Sequence, residues 1–573
     1  MTLGRRGFLG LLSMPALLRA QGIASRKVAP TSRAKASGLP FDATFVDIAR
    51  QAGLVHPTIY GPEDHKDYII ETVGCGCAFL DYDNDGWMDV LVLSGSRVSG
   101  APAGTSNRLY RNRRDGTFED VTEKAGLLRT GWASSVAVAD YNNDGYDDLF
   151  ITGWGRNTLY RNNGNGTFTD ATREAGLLDA EERWGAGCSF FDYNRDGYVD
   201  LFVSNYLQFD LKKARKPGAD SNCTWKGVPV NCGPRGLPFG HHSLYRNNGN
   251  GTFTDVTQAS GISKAAPGYG MTVVTADFDN DGWPDIYVAC DSTPSLLFRN
   301  NHDGTFEEVG LLTGVSLSED GMEQAGMGVG VGDILLNGSL DIFKTHFADD
   351  TNILYINDGK GNFEDRTVQS GLGVETRFVG WGAGIVDLDN DGNPDLFLVT
   401  GNVYPEVEAK LPSYPFKTPR LIFRNLGGGK LEELIDEAGP AITSRHASRG
   451  CAFGDFDNDG DIDVLIVNLN EPPSLLRNDL KGTHHWLKVK LIGTVSNRGA
   501  IGARVTCFYG GKRQAQEVLS QSSFYSCNDP RLHFGLGSAM EAELHIRWPN
   551  GAEQKLSNVK SGQILTVREP GGK

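Results

Sequence analysis

The sequence predicts an all-β protein: a seven-bladed β-propeller carrying metal-binding loops, plus a C-terminal β-sandwich-like domain. Three observations predict it. The nonapeptide Asp81-Tyr82-Asp83-Asn84-Asp85-Gly86-Trp87-Met88-Asp89 returns at Asp140, Asp192, Asp277, Asp387 and Asp455, with a worn copy at Asp333. Seven copies make this a repeat protein. Each copy sits within a module of four short β-like runs, a sheet that cannot bury both faces alone, and radial packing of blades solves that problem. Finally, the two ends of the array complement each other. Ala43–Leu54 reads like the fourth run of a module, while the seventh module gives out after its third run, Ser474–Asn478. A linear β-solenoid gains nothing from that arrangement, whereas a ring loses its exposed edges.

Taken in order, residues 1–20 read as a twin-arginine export signal: Arg5-Arg6-Gly7-Phe8-Leu9, a moderately apolar run, then Ala20. Residues 21–40 are basic and rich in Ser, Ala and Pro, and are expected to form a flexible leader. The propeller spans 41–482. Its first module comprises Cys75–Leu80, the Asp loop, Asp89–Leu93, Arg108–Asn112 and Thr117–Val121, with a Gly hairpin between the last two. From 483 to 570 the Asp loops cease and strand-like runs recur at 503–509, 514–519, 542–548 and 564–567, a separate β domain.

The loops point to a hard cation. Their oxygen-bearing side chains fall at positions 1, 3, 5 and 9, with Gly at position 6 for the sharp turn. The candidate ligands are Asp81, Asp83, Asp85 and Asp89; Asp140, Asn142, Asp144 and Asp148; Asp192, Asn194, Asp196 and Asp200; Asp277, Asp279, Asp281 and Asp285; Asp387, Asp389, Asp391 and Asp395; and Asp455, Asp457, Asp459 and Asp463. An EF-hand would need Glu at position 12, but that position is Val92, Ile151, Val203, Val288, Leu398 or Ile466. Metal-free Asx turns are the alternative, yet they do not call for three or four mutually repelling carboxylates. Pliable loops of carboxylates and carbonyls favour Ca2+ over Mg2+, giving about six structural sites. The Asp333 copy has Leu335 at position 3 and is expected to keep the fold without binding metal well.

The formal charge is −16. Six divalent ions would bring it to about −4, so the acidity is mostly site-forming. No basic stripe suggests nucleic acid. No run of about 18 apolar residues suggests a membrane anchor in the mature chain. Among nine cysteines, Cys223 and Cys232 are the good disulfide candidate, and Cys507 with Cys527 a weaker one. Cys77, Cys188 and Cys451 share one place in different modules and read as small buried hydrophobes.

The D-x-[DN]-x-D-G-x-x-D loops resemble FG-GAP (VCBS-type) repeats. The tail runs Asn497–Val505, Asn528–Gly537 and Trp548–Gly551 resemble the ASPIC/UnbV domain. Together they resemble the cartilage acidic protein 1 family and its exported bacterial relatives. The resemblance implies a calcium-binding propeller, a C-terminal β domain and a periplasmic or secreted location, and says little about activity.

Strand alternation puts the Asp loops and Gly hairpins at one end of the propeller. The other end carries two insertions, 204–242 and 400–419, and a set of residues expected to ring the channel mouth. Candidate ligand-binding residues there are Trp132, Trp184, Tyr269, Asp291, Glu323, His346, Trp381, His446 and Arg449. They suit either of two readings. One is a binding or adhesion module for an extracellular protein, glycan or small molecule. The other is an exported lyase, hydrolase or cyclase, although no spacing identifies a nucleophile or triad. The same aromatics could instead simply plug the channel.

Overall fold

In the computed structural model, residues 23–178, 181–218 and 223–571 are described; the twin-arginine segment lies outside them. The apolar runs pair into seven four-stranded antiparallel sheets, each in simple meander order. Their inner strands are Cys77–Leu80, Trp132–Ala139, Gly185–Phe191, Gly270–Ala276, Val329–Gly332, Gly380–Val386 and Ser448–Gly454. Each inner strand packs against the next, and the seventh packs against the first, so the ring is closed. Phe45–Asp47 supplies the fourth strand of blade 7, pairing Phe45 with Asn478 and Asp47 with Leu476.

One asparagine per blade ties the ring together. At the end of the third strand of blade 1, Asn112 Nδ2 donates to Met88 O of its own loop (3.0 Å) and to Phe456 O of blade 7 (2.8 Å). Asn162, Asn247, Asn300, Asn357, Asn425 and Asn478 repeat the bond to the preceding blade. A second tie uses the loop's position 4, always at positive φ. Asn84 donates to Gly145 O, Asn143 to Gly197 O and Asn458 to Gly86 O, the last again closing the circle.

The C-terminal domain is a two-sheet sandwich. Leu532–Gly537, His485–Ile492 and Gln563–Arg568 form one sheet; Lys512–Glu517, Arg504–Tyr509, Glu541–Arg547 and Glu553–Lys560 form the other. Leu487, Val505, Phe534, Leu544 and Trp548 are buried between them.

Two expectations differ from the structure. Residues 23–40 do not hang free. They run extended along blades 4 to 6, where Ala24 N donates to Ser292 Oγ, Arg26 pairs with Asp350 (2.8 Å), Val28 N donates to Asp349 O and Arg33 pairs with Glu433 (2.7 Å). Basic residues in this segment meet acidic edges of the blades, which composition alone cannot show. Cys507 and Cys527 do not pair: both are free and buried. Cys507 lies within the sandwich strand Arg504–Tyr509, while Cys527 bonds the backbone of Cys77 in the propeller. The disulfide Cys223–Cys232 is formed.

Candidate metal centres and ligand surface

Each Asp loop is built outward from its own turn. In blade 1, Asp81 accepts bonds from Asp85 N (2.8 Å) and Gly86 N (3.1 Å), and Asp85 accepts one from Trp87 N. Asp89 is doubly engaged, accepting from Asn112 N (2.7 Å) and Tyr82 N (3.3 Å). Position 9 therefore pins the loop to the third strand, and Asp341 of the worn loop does the same. The worn loop keeps its turn because the bonds from Asn337 N and Gly338 N to Asp333 survive without position 3.

Four loops bring three carboxylates together with ligand oxygens all within 4.8 Å: Asp81–Asp83–Asp85, Asp277–Asp279–Asp285, Asp387–Asp389–Asp395 and Asp455–Asp457–Asp463. Asp83 Oδ1, Asp387 Oδ1 and Asp457 Oδ1 are buried and have no hydrogen-bond partner. Buried oxygens left unpaired in converging carboxylate sets fit an oxygen-seeking cation. In the loops from Asp140 and Asp192 the position 3 amides, Asn142 and Asn194, bond Asp144 and Asp196 (2.9 Å each). Without a cation, burial pushes Asp89 up to about 8 and Asp148 to about 9, and neighbouring carboxylates add to the rise.

The C-terminal domain sits directly on this loop face, the end opposite the insertion-bearing mouth. Lys488 pairs with Asp455 Oδ2 (2.8 Å) with both side chains fully buried, and Lys490 approaches Asp81 Oδ2 (3.5 Å). Arg547 pairs with Asp277, Arg531 donates to Asp455 O, and Tyr509 OH donates to Gly392 O.

From that domain, residues 520–529 enter the central channel and bond all seven inner strands. Cys527 N donates to Cys77 O, and Gln521 Nε2 donates to Ser135 Oγ. Ser520 Oγ accepts from Phe190 N, and Gln521 Oε1 from Val273 N. Ser523 exchanges two backbone bonds with Val329 (2.7 Å each), and its hydroxyl accepts from Ala383 N. Asn528 Oδ1 accepts from Phe453 N. Gly76 makes room for this plug: a Cβ there would lie 1.8 Å from Tyr525 O. At the tip, Phe524 stacks on Tyr525 (3.9 Å) and meets the edge of Trp381 (5.0 Å).

The opposite mouth is capped. The insertions 204–242 and 400–419 meet over it, with Trp225 against Tyr404 and Tyr414 (ring centroids 5.9 and 5.0 Å). The mouth residues named from sequence are brought together here, mostly as packing. Trp132 is edge-on to Tyr60 and Trp184 to Tyr206. Tyr269 OH donates to Leu237 O. Trp381 Nε1 donates to Gly401 O beneath the Arg449 guanidinium (4.1 Å), which itself donates to Thr72 O and Asn402 O. Asp291 accepts from Tyr206 OH (2.6 Å), and His346 is buried against Ala325 O, held well below its usual range by that burial. Glu323 pairs with Arg235 and His446 with Glu471, both at the periphery. The cavity left at the centre, lined by Ile23, Tyr206, Asp291, Trp381 and Tyr404, is only ≈30 Å3.

A much larger concavity lies beside it. The 204–242 insertion walls a cleft of ≈1190 Å3 lined by Asp67, Tyr68, Trp184, Phe209, Asp210, Lys213 and His241 among others. Sequence reasoning missed this cleft and the plug. The signals were faint: a Ser-rich stretch at 520–526 that carries Phe524 and Tyr525, and glycines recurring in the inner strands.

Five stretches between residues 81 and 398 (81–151, 140–203, 238–288, 277–344 and 333–398) match the FG-GAP-like repeat family, and residues 493–573 match ASPIC and UnbV. The chain is 28% identical over 323 residues to cartilage acidic protein 1 of Homo sapiens, covering 55% of this chain and 46% of that protein. It is 27% identical over 323 residues to the Xenopus tropicalis protein. It spans about half the length of the curated relatives it matches. Among solved structures it resembles, loosely, an Agrocybe aegerita lectin recognising non-reducing terminal N-acetylglucosamine (TM-score 0.36, 17% identity, 71% of this chain and 92% of that one). It also resembles BBS1N in complex with ARL6DN (TM-score 0.40, 8% identity, 75% and 99%). By its repeats, its tail and its homology, this chain is an FG-GAP repeat protein with a C-terminal ASPIC/UnbV domain, related to cartilage acidic protein 1.

Proposed function

We propose that this chain is an exported binding module, held rigid by Ca2+ in its Asp loops, that engages an extracellular ligand through the insertion-bearing face. The observation carrying the reading is the contrast at that face. The space left at the channel mouth is only ≈30 Å3 and Asp291 and His346 are buried, too little room for a substrate beside them, while the adjacent cleft of ≈1190 Å3 mixes aromatic with charged walls. Export accords with the twin-arginine pattern and with the Cys223–Cys232 disulfide. Within the described residues no helix is long and apolar enough to cross a membrane.

The residues that would hold calcium are those at positions 1, 3, 5 and 9 of the six intact loops. Bound there, the ion would neutralise carboxylates that otherwise repel one another within each turn. Extracellular calcium modules have Kd of about 10⁻⁴–10⁻³ M, so ambient calcium would keep such sites filled. The test is a binding screen of the purified chain against immobilised glycans and matrix proteins in calcium, repeated with Phe209→Ala/Lys213→Glu. The expected result is a ligand whose binding falls at least tenfold in the variant with no change in melting temperature. Retained binding would move the ligand away from the cleft, and turnover of a screened compound would restore the enzyme reading.

A further inference from the structure

Where the C-terminal domain covers blades 1 and 2, it leaves a cavity of ≈220 Å3. Both domains supply its apolar walls: Met88 and Val138 from the propeller, Leu491, Ile501 and Val518 from the sandwich, all buried. Its charged groups are Asp81, Asp140 and Asp147 from the propeller and Lys490, Arg498 and Arg531 from the domain. Four of the six are already engaged. Asp81 and Asp140 each accept two backbone N–H bonds from their own turns. Arg531 is held by Asp529, Asn458 Oδ1 and Asp455 O. Lys490 pairs with Asp81 Oδ2 (3.5 Å). Asp147 and Arg498 are different, because their backbones are fixed while their charges are not. Asp147, at position 8 of its loop, has its carbonyl held by Asn162 Nδ2 (3.1 Å). Among the described residues, its carboxylate accepts no hydrogen bond and forms no ion pair, although Lys490 lies near enough to favour its charge. Arg498 N donates to Asn143 Oδ1 (2.9 Å) of the same loop, and Arg498 O accepts from Gly493 N (3.1 Å). Its guanidinium, at the exposed rim of the cavity, has no hydrogen-bond or ion-pair partner among the described residues.

We propose that this cavity binds a small apolar zwitterion of the size of a free amino acid, with its ammonium on Asp147 and its carboxylate on Arg498 and Lys490. A carboxylate shielded between two domains costs free energy until a cation meets it. A free guanidinium offers a planar fork of donors that matches a carboxylate. Asp147 and Arg498 line one cavity without pairing with each other. A molecule carrying both signs satisfies both residues, whereas a simple amine or a simple acid satisfies one. The space suits such a molecule. A cavity of about 150 Å3 admits benzene, so ≈220 Å3 holds roughly nine non-hydrogen atoms, and leucine has that many. The apolar walls favour an aliphatic side chain over a polar one. A bound zwitterion would also bridge the two domains, since Asp147 belongs to the propeller and Arg498 to the sandwich. The site stands apart from the cleft beside the mouth, and neither residue is among the proposed calcium ligands.

The test is isothermal titration of the full chain, in calcium chloride at neutral pH, with leucine and two analogues. One is 3-methylbutylamine, which lacks the carboxylate; the other is 4-methylpentanoate, which lacks the ammonium. Leucine is expected to bind at one site per chain, at least about tenfold more tightly than either analogue. Asp147→Asn should weaken leucine by a similar factor and leave 4-methylpentanoate unchanged. Arg498→Gln should weaken leucine likewise and leave 3-methylbutylamine unchanged. Arg498 is exposed, so its variant keeps the test decisive should Asp147→Asn fail to fold. No binding of leucine, isoleucine or valine at millimolar concentration would overturn the proposal. So would leucine binding that neither variant alters, or an analogue that binds as tightly as leucine.

Discussion

At the residue scale, small polar and small apolar side chains decide how closely the parts can approach. Asn357 spans two blades by donating to Phe278 O and Leu340 O (2.7 and 3.0 Å). Asn357→Ala would leave two buried carbonyls unpaired and is expected to cost about 2–4 kcal/mol, measured as a lower urea midpoint. Gly76 has no room for a side chain against Tyr525 O. Gly76→Val is expected to force the plug from that wall of the channel and to destabilise by about 3 kcal/mol or more, again by urea unfolding. An unchanged midpoint would mean that residues 520–529 do not occupy the channel in solution. The Tyr-Arg-Asn ending of the third strands could have revealed the clamps from sequence, since it recurs in blades 1, 2 and 3. Its partner on the preceding blade could not be read there.

At the element scale, the Asp loop is both a turn and a candidate metal site, and pH separates the two roles. In the metal-free loops burial raises Asp89 to about 8, Asp148 to about 9 and Asp192 to about 7. These carboxyls hold protons in the folded chain that they release on unfolding. Their stabilising contribution is full below the ordinary aspartate range and is lost as pH rises through about 7–9. The chelated protein is therefore expected to melt higher at pH 5 than at pH 8. Metal binding needs the deprotonated loop and follows the opposite trend. The gain in melting temperature on adding calcium should therefore grow from pH 5 to pH 8. A gain independent of pH would count against these carboxylates as the ligands. The insertion 204–242 is a second element whose place is decided by distant contacts: the Cys223–Cys232 loop holds Trp225 over the mouth against Phe347, Tyr404 and Tyr414.

For the whole molecule, stability rests on closing a ring and filling its axis. Deleting residues 23–50 removes the strand that pairs with Ser474–Asn478 and leaves an unpaired edge. The truncated chain is expected to self-associate, seen by light scattering, and a monodisperse, unchanged melt would contradict the closure. If calcium fills the proposed loop sites, chelation of the full chain is expected to lower its melting temperature by about 10 °C or more, since each bound ion would contribute through ligand linkage. An unchanged melt would defeat the calcium reading.

The repeat, the Asp loops, the β class, the tail domain and the disulfide were all legible in the sequence. Each is written in local spacing: positions 1, 3, 5 and 9 around a glycine, alternating strands, two cysteines closing a short Gly- and Pro-rich loop. Trp132, Trp184, Tyr269 and Trp381 could be singled out from the sequence as candidates, but their packed state could not, because exposure depends on what other segments lie over them. Only the tertiary structure decided that Ser520–Asp529 fills the channel, that residues 23–40 run along the blades, that two insertions cap the mouth, and that the tail domain sits on the Asp loops. Those outcomes join residues hundreds of positions apart, such as Lys490 with Asp81 and Val28 with Asp349. No period or motif encodes such contacts; they follow from which surfaces remain uncovered once the ring has closed.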